Sequence, residues 1–126
     1  MSEENPFKIL NKDIAEVREI DPIKVEGELK ERIETIISSA PVVLFMKGNA
    51  DFPQCGFSAN TIAMLKHIGK PFNTFDILQD QDIRQGLKEY SNWPTFPQLY
   101  VNSKLIGGND IITEMFEDGD LQEIIK

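Results

Sequence analysis

PVVLFMKGNADFPQCGFSANTIAMLKHIG, residues 41–69, is the stretch on which the fold turns. Val42 to Met46 is a short apolar run bounded by Pro41 and Lys47, with the length and composition of a strand buried on both faces. A polar loop, Gly48 to Gln54, leads to Cys55. Ala59, Ile62, Ala63, Met64, Leu65 and Ile68 then recur at helical spacing until Gly69 and Pro71 close the helix. Strand, loop and helix in this order put Cys55 at a helix start.

Upstream, Val25, Leu29, Ile33, Ile36 and Ile37 form one helical face, which predicts a helix from Val25 to Ala40 ended by Pro41. Before it, Leu10, Ile14 and Val17 follow a modest helical spacing behind a possible Asn11 cap, and the pattern stops at Asp21-Pro22. Residues 1–24 therefore read as a peripheral extension, and residues 25–126 as the domain. Downstream, Phe72 to Ile77 reads as a strand, and Ile83, Leu87 and Tyr90 mark a helix from about Asp80 to Ser91. Phe96 to Val101 and Lys104 to Ile106 read as a hairpin turned at Asn102-Ser103. Gly107-Gly108 breaks the chain before Asn109, a good cap for a last helical region carrying Ile111, Ile112, Met115, Phe116, Leu121, Ile124 and Ile125. The order predicts an α/β fold: a four-stranded mixed sheet, two strands parallel through a right-handed crossover and two in an antiparallel hairpin, with helices on both faces.

Composition narrows the function. The chain has 126 residues, 40% hydrophobic and 27% charged, which suits one globular domain. Thirteen basic against twenty-one acidic side chains give a net charge of −8, which opposes binding to a phosphate backbone, so nucleic acid is not an expected partner. No apolar run nears the roughly 20 residues that cross a bilayer, and no membrane association is expected. The first thirty residues are rich in Asp and Glu, unlike a transit or secretory signal. A bacterial cytoplasmic location is the expectation; a presequence removed ahead of residue 1 would place the chain in an organellar matrix instead.

Cys55 is the single cysteine. It excludes an intrachain disulfide and any metal centre built from this chain's own thiolates. At a helix start, a thiol faces the positive end of the macrodipole and unpaired backbone N–H groups, both of which favour the thiolate. Lys47, at the end of the preceding strand, adds a nearby cation.

The neighbours of Cys55 carry a resemblance. Cys55-Gly56-Phe57-Ser58, Trp93-Pro94-Thr95-Phe96-Pro97-Gln98 and Gly107-Gly108-Asn109-Asp110 together resemble the signature set of monothiol glutaredoxins of the CGFS type, over roughly Val25 to Lys126. The resemblance implies a thioredoxin-like (glutaredoxin) fold and a site for glutathione. It implies that Lys47 and Arg84 bind the glycyl carboxylate, that Gly56 allows close approach, and that Phe57 supplies an apolar contact. Phe96-Pro97 is implied to be a cis-peptide that leaves the Phe96 backbone free to pair with the tripeptide in strand fashion, with Thr95 flanking it. Gly108, Asn109 and Asp110 are implied to hold the γ-glutamyl end, through backbone N–H groups for its carboxylate and Asp110 for its ammonium. In this family a cysteine often stands where Asn109 stands; the role implied there is mainly backbone. Trp93, Tyr90 and His67 are assigned no site role.

Ser58 occupies the position of a second, resolving cysteine and cannot do its chemistry. A [2Fe–2S] cluster needs four soft ligands, and two copies of Cys55 with two glutathione thiols would make four. The resemblance accordingly implies a cluster-bridged homodimer that carries and transfers [2Fe–2S] in iron–sulfur cluster assembly and iron homeostasis, with Cys55 as metal ligand and BolA-like and apo iron–sulfur proteins as partners. The alternative is a glutathione-dependent thiol–disulfide oxidoreductase with Cys55 as catalytic nucleophile. Seven residues separate Lys47 from Cys55, a longer loop than in dithiol relatives, and the resemblance implies that such activity is weak.

Overall fold

The computed structural model describes residues 15–126. Its centre is β2 (Val42–Met46), every residue of which is buried. β2 runs parallel to β3 (Phe72–Asp76) and antiparallel to β4 (Gln98–Val101), which pairs antiparallel with β5 (Lys104–Gly107). The hairpin turns at Asn102 and Ser103, whose φ values of 51° and 67° are the left-handed pair that a two-residue turn requires.

The sheet has five strands, in the order β1-β3-β2-β4-β5, rather than the four expected. The additional strand, β1 (Val17–Glu19), lies parallel to β3, with Val17 opposite Phe72. Val17 thus belongs to a strand and not to the helical face drawn with Leu10 and Ile14; the remainder of that expected helix, including its Asn11 cap, lies outside the described residues. Three residues with one apolar side chain carry no period, and the pairing is fixed by the exposed edge of β3.

Period-two alternation sorts β2 onto two cores. Val42, Leu44 and Met46 pack with Ile62 and Leu65 of α2 (Gly56–Ile68) and with Ile112 of α4 (Asn109–Asp118) and Leu121 of α5 (Asp120–Ile125). Val43 and Phe45 face Ile33, Ile36 and Ile37 of α1 (Leu29–Ile37) and Ile83 and Leu87 of α3 (Gln81–Ser91). Helices therefore cover both faces, as expected.

Several ends differ from the sequence reading. α1 starts at Leu29, not Val25, because Gly27 sits at φ +117° and Glu28 forms a capping box with Glu31. Arg32 fastens the segment ahead of it: its Nε donates to the Val25 carbonyl at 2.7 Å and its Nη2 pairs with Asp80 at 2.6 Å. β3 ends at Asp76, where the chain turns into a 3-10 segment, Ile77–Gln79. β4 begins at Gln98, after the Phe96–Pro97 bond. The last helical region is divided at Gly119, in the left-handed conformation. No helix among the described residues is long and apolar enough to cross a membrane.

Candidate functional site

Cys55 is the N-cap of α2, with extended backbone (φ −154°, ψ 157°), as the strand–loop–helix order predicts. Its sulfur is held by two groups of Ser58. The Ser58 N–H donates to Sγ at 3.3 Å, and Ser58 Oγ lies 3.3 Å from the same atom. Ser58 is completely buried, and its hydroxyl oxygen already accepts the Lys47 N–H at 3.2 Å, so its proton is free for the sulfur. Partial burial pushes the Cys55 thiol up, but the Ser58 hydroxyl, the Ser58 and Phe57 N–H groups and the Lys47 charge outweigh it and hold the thiol below its ordinary value. The result is a half-exposed sulfur biased toward thiolate.

The loop before Cys55 is tightly tied. Gln54 N–H donates to the Lys47 carbonyl at 2.8 Å, Gly48 N–H to Asp76 Oδ1 at 2.9 Å, and the Asn49 side chain accepts from Asp51 and Phe52 N–H groups. Gly48 is required here. Its φ is +87°, and a Cβ would overlap the Phe52 carbonyl oxygen.

A groove of about 270 Å³ opens at the first turn of α2, two residues past Cys55. Trp93, Thr95, Phe96 and Pro97 line one side of it, Gly108, Asn109, Asp110 and Ile111 the other, and exposed Phe57 joins them from the first turn of α2. Phe96–Pro97 is cis. Phe96 lies outside every strand and helix, and no hydrogen bond among the described residues engages its N–H or C=O. Both groups thus lack a partner among the described residues, although Phe96 as a whole is buried.

The first turn of α4 faces the same groove. Its N-cap is Gly108, which has no side chain to cap the helix; Asn109, expected to be the cap, is the first helical residue. Asn109 Oδ1 instead meets α2, accepting from Asn60 Nδ2 at 3.0 Å and lying 3.3 Å from Thr61 Oγ1. The N–H groups of the first turn therefore have no side-chain acceptor at the cap.

Seven of the residues singled out from the sequence, Phe57, Thr95, Phe96, Pro97, Gly108, Asn109 and Asp110, meet at this groove. Cys55 and Gly56 adjoin Phe57 at its end. Lys47 is near enough to act on the sulfur but does not line the groove, and Arg84, half-buried on α3, does not line it either. His67 packs edge-on against Phe116, and Tyr90 reaches Glu34, both away from the groove.

Three motif residues have roles that their motifs do not show. Ser58 was given no role toward the sulfur, although a serine three positions beyond an N-cap is the residue whose N–H and hydroxyl return to it. Trp93 lines the groove, and its buried indole N–H has no acceptor among the described residues. Gln98, completely buried, donates from Nε2 to the Trp93 and Thr95 carbonyls at 3.0 and 3.2 Å and accepts the Tyr100 hydroxyl at 3.2 Å. It fixes the wall that carries Thr95 and Phe96; the sequence places it in the motif but not in that role.

Among the described residues no three His, Cys, Asp or Glu side chains cluster as a metal site would need.

Comparison with known proteins agrees with this architecture. The glutaredoxin family model matches residues 42–106. An uncharacterised ycf64-like monothiol glutaredoxin of Synechocystis is 50% identical over 99 residues, covering 79% of this chain and 92% of that protein. Monothiol glutaredoxin-S11 of Oryza sativa is 53% identical over 104 residues, 82% of this chain but only 21% of that longer protein. Among solved structures, reduced apo GrxS14 of poplar superposes with a TM-score of 0.67 at 52% identity, covering 75% of this chain and 87% of that one. A buckwheat glutaredoxin–glutathione complex superposes at 0.66 with 25% identity, covering 77% and 86%.

Proposed function

Because this chain belongs to the glutaredoxin family, as a monothiol member, we propose that it binds glutathione in the groove beside Cys55 and carries a [2Fe–2S] cluster between two copies of itself. The observation that carries the reading is the pairing of one thiolate-biased sulfur with a groove whose free groups match a tripeptide. Phe96 offers strand-like pairing, the uncapped start of α4 suits a carboxylate, and Asp110 suits an ammonium. Lys47 and Arg84 are assigned to the glycyl carboxylate. The buckwheat relative named above was solved as a glutathione complex.

The cluster is cargo, and the donor count decides how it is held. One thiolate per chain, half-exposed at a helix start, supplies a quarter of the four soft ligands a [2Fe–2S] centre needs. A second copy and two glutathione thiols complete the set. BolA-like proteins are the proposed hetero-partners, apo iron–sulfur proteins the recipients, and iron–sulfur assembly and iron homeostasis the setting, in a bacterial cytoplasm or an organellar matrix. Residues 1–24 are assigned no part in this chemistry.

The lowered thiol also favours a second reading. Cys55 thiolate attacks the glutathione sulfur of a protein–glutathione disulfide, forming Cys55–S–S–glutathione and releasing the protein thiolate. A second glutathione thiolate then attacks the glutathione sulfur of that adduct, freeing Cys55 and leaving oxidised glutathione. No step needs a resolving cysteine. Anaerobic incubation with iron and sulfide separates the readings: visible absorption that requires both glutathione and Cys55 supports carriage, and a colourless product with rapid glutathione-dependent disulfide reduction supports catalysis.

A further inference from the structure

Asp76, the last residue of β3, carries the one buried carboxylate among the described residues. It accepts twice on a single oxygen: the Gly48 and Leu78 N–H groups both donate to Asp76 Oδ1, each at 2.9 Å. The donors belong to different segments. β2 and β3 run parallel with Met46 opposite Asp76, so the chain leaves both strands at the same level, through Lys47-Gly48 and through Ile77-Leu78. Capping the 3-10 segment needs only the Leu78 bond; the bond to Gly48, 28 residues away, adds nothing to the cap.

Each exit leads to a cation. Lys47 precedes Gly48, and its own N–H donates to Ser58 Oγ at 3.2 Å, so this corner is tied to α2 as well as to β3. Past Leu78, Asp80 caps α3 through the Ile83 N–H, and the Arg84 N–H donates to the Asp80 carbonyl at 3.0 Å, which places Arg84 in the first turn of α3. Lys47 and Arg84 are both half-buried, and among the described residues neither is in an ion pair.

We propose that Asp76 is a positioning residue: by holding Gly48 and Leu78 on one oxygen it fixes the spacing of Lys47 and Arg84, so that both cations meet a single carboxylate, that of the glycyl residue. The inference rests on the groove reading and on the assignment of Lys47 and Arg84 to that carboxylate. Asp76 itself touches no ligand. Cations set at their spacing before the ligand arrives lose little freedom on binding.

The test is calorimetric titration of the intact chain with glutathione and with γ-glutamylcysteine, which lacks the glycine; the unsubstituted chain should bind glutathione more tightly. Asp76→Ser keeps a hydroxyl that can accept the Leu78 N–H two residues on, but is too short to hold Gly48 as well. It should weaken glutathione roughly tenfold, the size of one charge-assisted contact, and leave the dipeptide within about twofold. Asp76→Asn keeps an acceptor oxygen in place without the charge and should stay within about threefold of the parent for both ligands. Equal losses for the two ligands in Asp76→Ser, or none for either, would overturn the assignment while the groove reading stands. A glutathione-selective loss as large in Asp76→Asn would also overturn it, placing the effect in the charge and not the spacing. Equal binding of both ligands by the unsubstituted chain would remove the Lys47 and Arg84 assignment and this inference together, and no binding of glutathione at all would overturn the groove reading with them.

Discussion

Ser58, buried one turn into α2, holds its hydroxyl 3.3 Å from the Cys55 sulfur while taking the Lys47 N–H on its oxygen. The contact joins the end of β2 to the reactive atom. It follows that Ser58→Ala raises the Cys55 thiol toward its ordinary value, since the hydroxyl opposes the effect of burial. Ultraviolet thiolate absorbance against pH should shift to higher pH in the variant, and alkylation near neutrality should slow. An unchanged titration would remove Ser58 from the account.

Gln98 anchors the opposite wall of the groove by three hydrogen bonds and is fully buried. Gln98→Met keeps the volume but leaves the Trp93 and Thr95 carbonyls and the Tyr100 hydroxyl short of partners, at a cost of about 2–4 kcal/mol. Denaturant unfolding measures it. A loss below 0.5 kcal/mol, on the order of a surface change, would mean that water replaces the amide without penalty.

The Arg32–Asp80 pair should make stability fall in acid. Partial burial pushes the Asp80 carboxyl up, but the Arg32 guanidinium and the Ile83 and Asp82 N–H groups outweigh it and hold it below its usual range. A carboxyl lower in the folded chain than in the unfolded one contributes its full stability above the unfolded value. That contribution disappears as pH falls through the folded value. Asp80→Asn, which keeps an N-cap side chain, should flatten this acid limb. Arg32→Met, which strands the carboxylate, should cost about 1–3 kcal/mol at neutral pH. Urea midpoints at pH 7 and pH 3 compare the two variants with the parent.

Gly48→Ala tests the loop ahead of Cys55. With φ +87° and the Phe52 carbonyl in the way, the substitution should destabilise by about 1–3 kcal/mol and reduce thiolate formation at Cys55, because Lys47 moves with the loop. The paired readout is a melting curve and the Cys55 titration; normal values for both would show that the loop adapts freely.

Much of this arrangement was legible in the sequence because it is local. The apolar run at Val42, the helical spacing after Cys55 and the Asn102-Ser103 turn each carry their own period or punctuation, and the structure places all three as read. What escaped depends on distant partners. β1 exists because β3 has a free edge, not because Val17-Arg18-Glu19 alternates. Asn109 looked like a cap because Asn commonly is one, but Asn60 and Thr61 claim its oxygen from another helix. Ser58, Trp93 and Gln98 act through contacts that appear only once the loop, sheet and helices close on one another. The groove was found through its motif residues, while the side chains that hold its walls were not.

Intact-mass measurement under native conditions, after anaerobic reconstitution with iron, sulfide and glutathione, counts the ligands of the cluster outright. The expected result is one assembly holding two chains, two glutathione molecules and one [2Fe–2S] unit, and a bare single chain when Cys55→Ser is treated alike. Iron and sulfide retained on a single chain, or in a pair lacking glutathione, would contradict it.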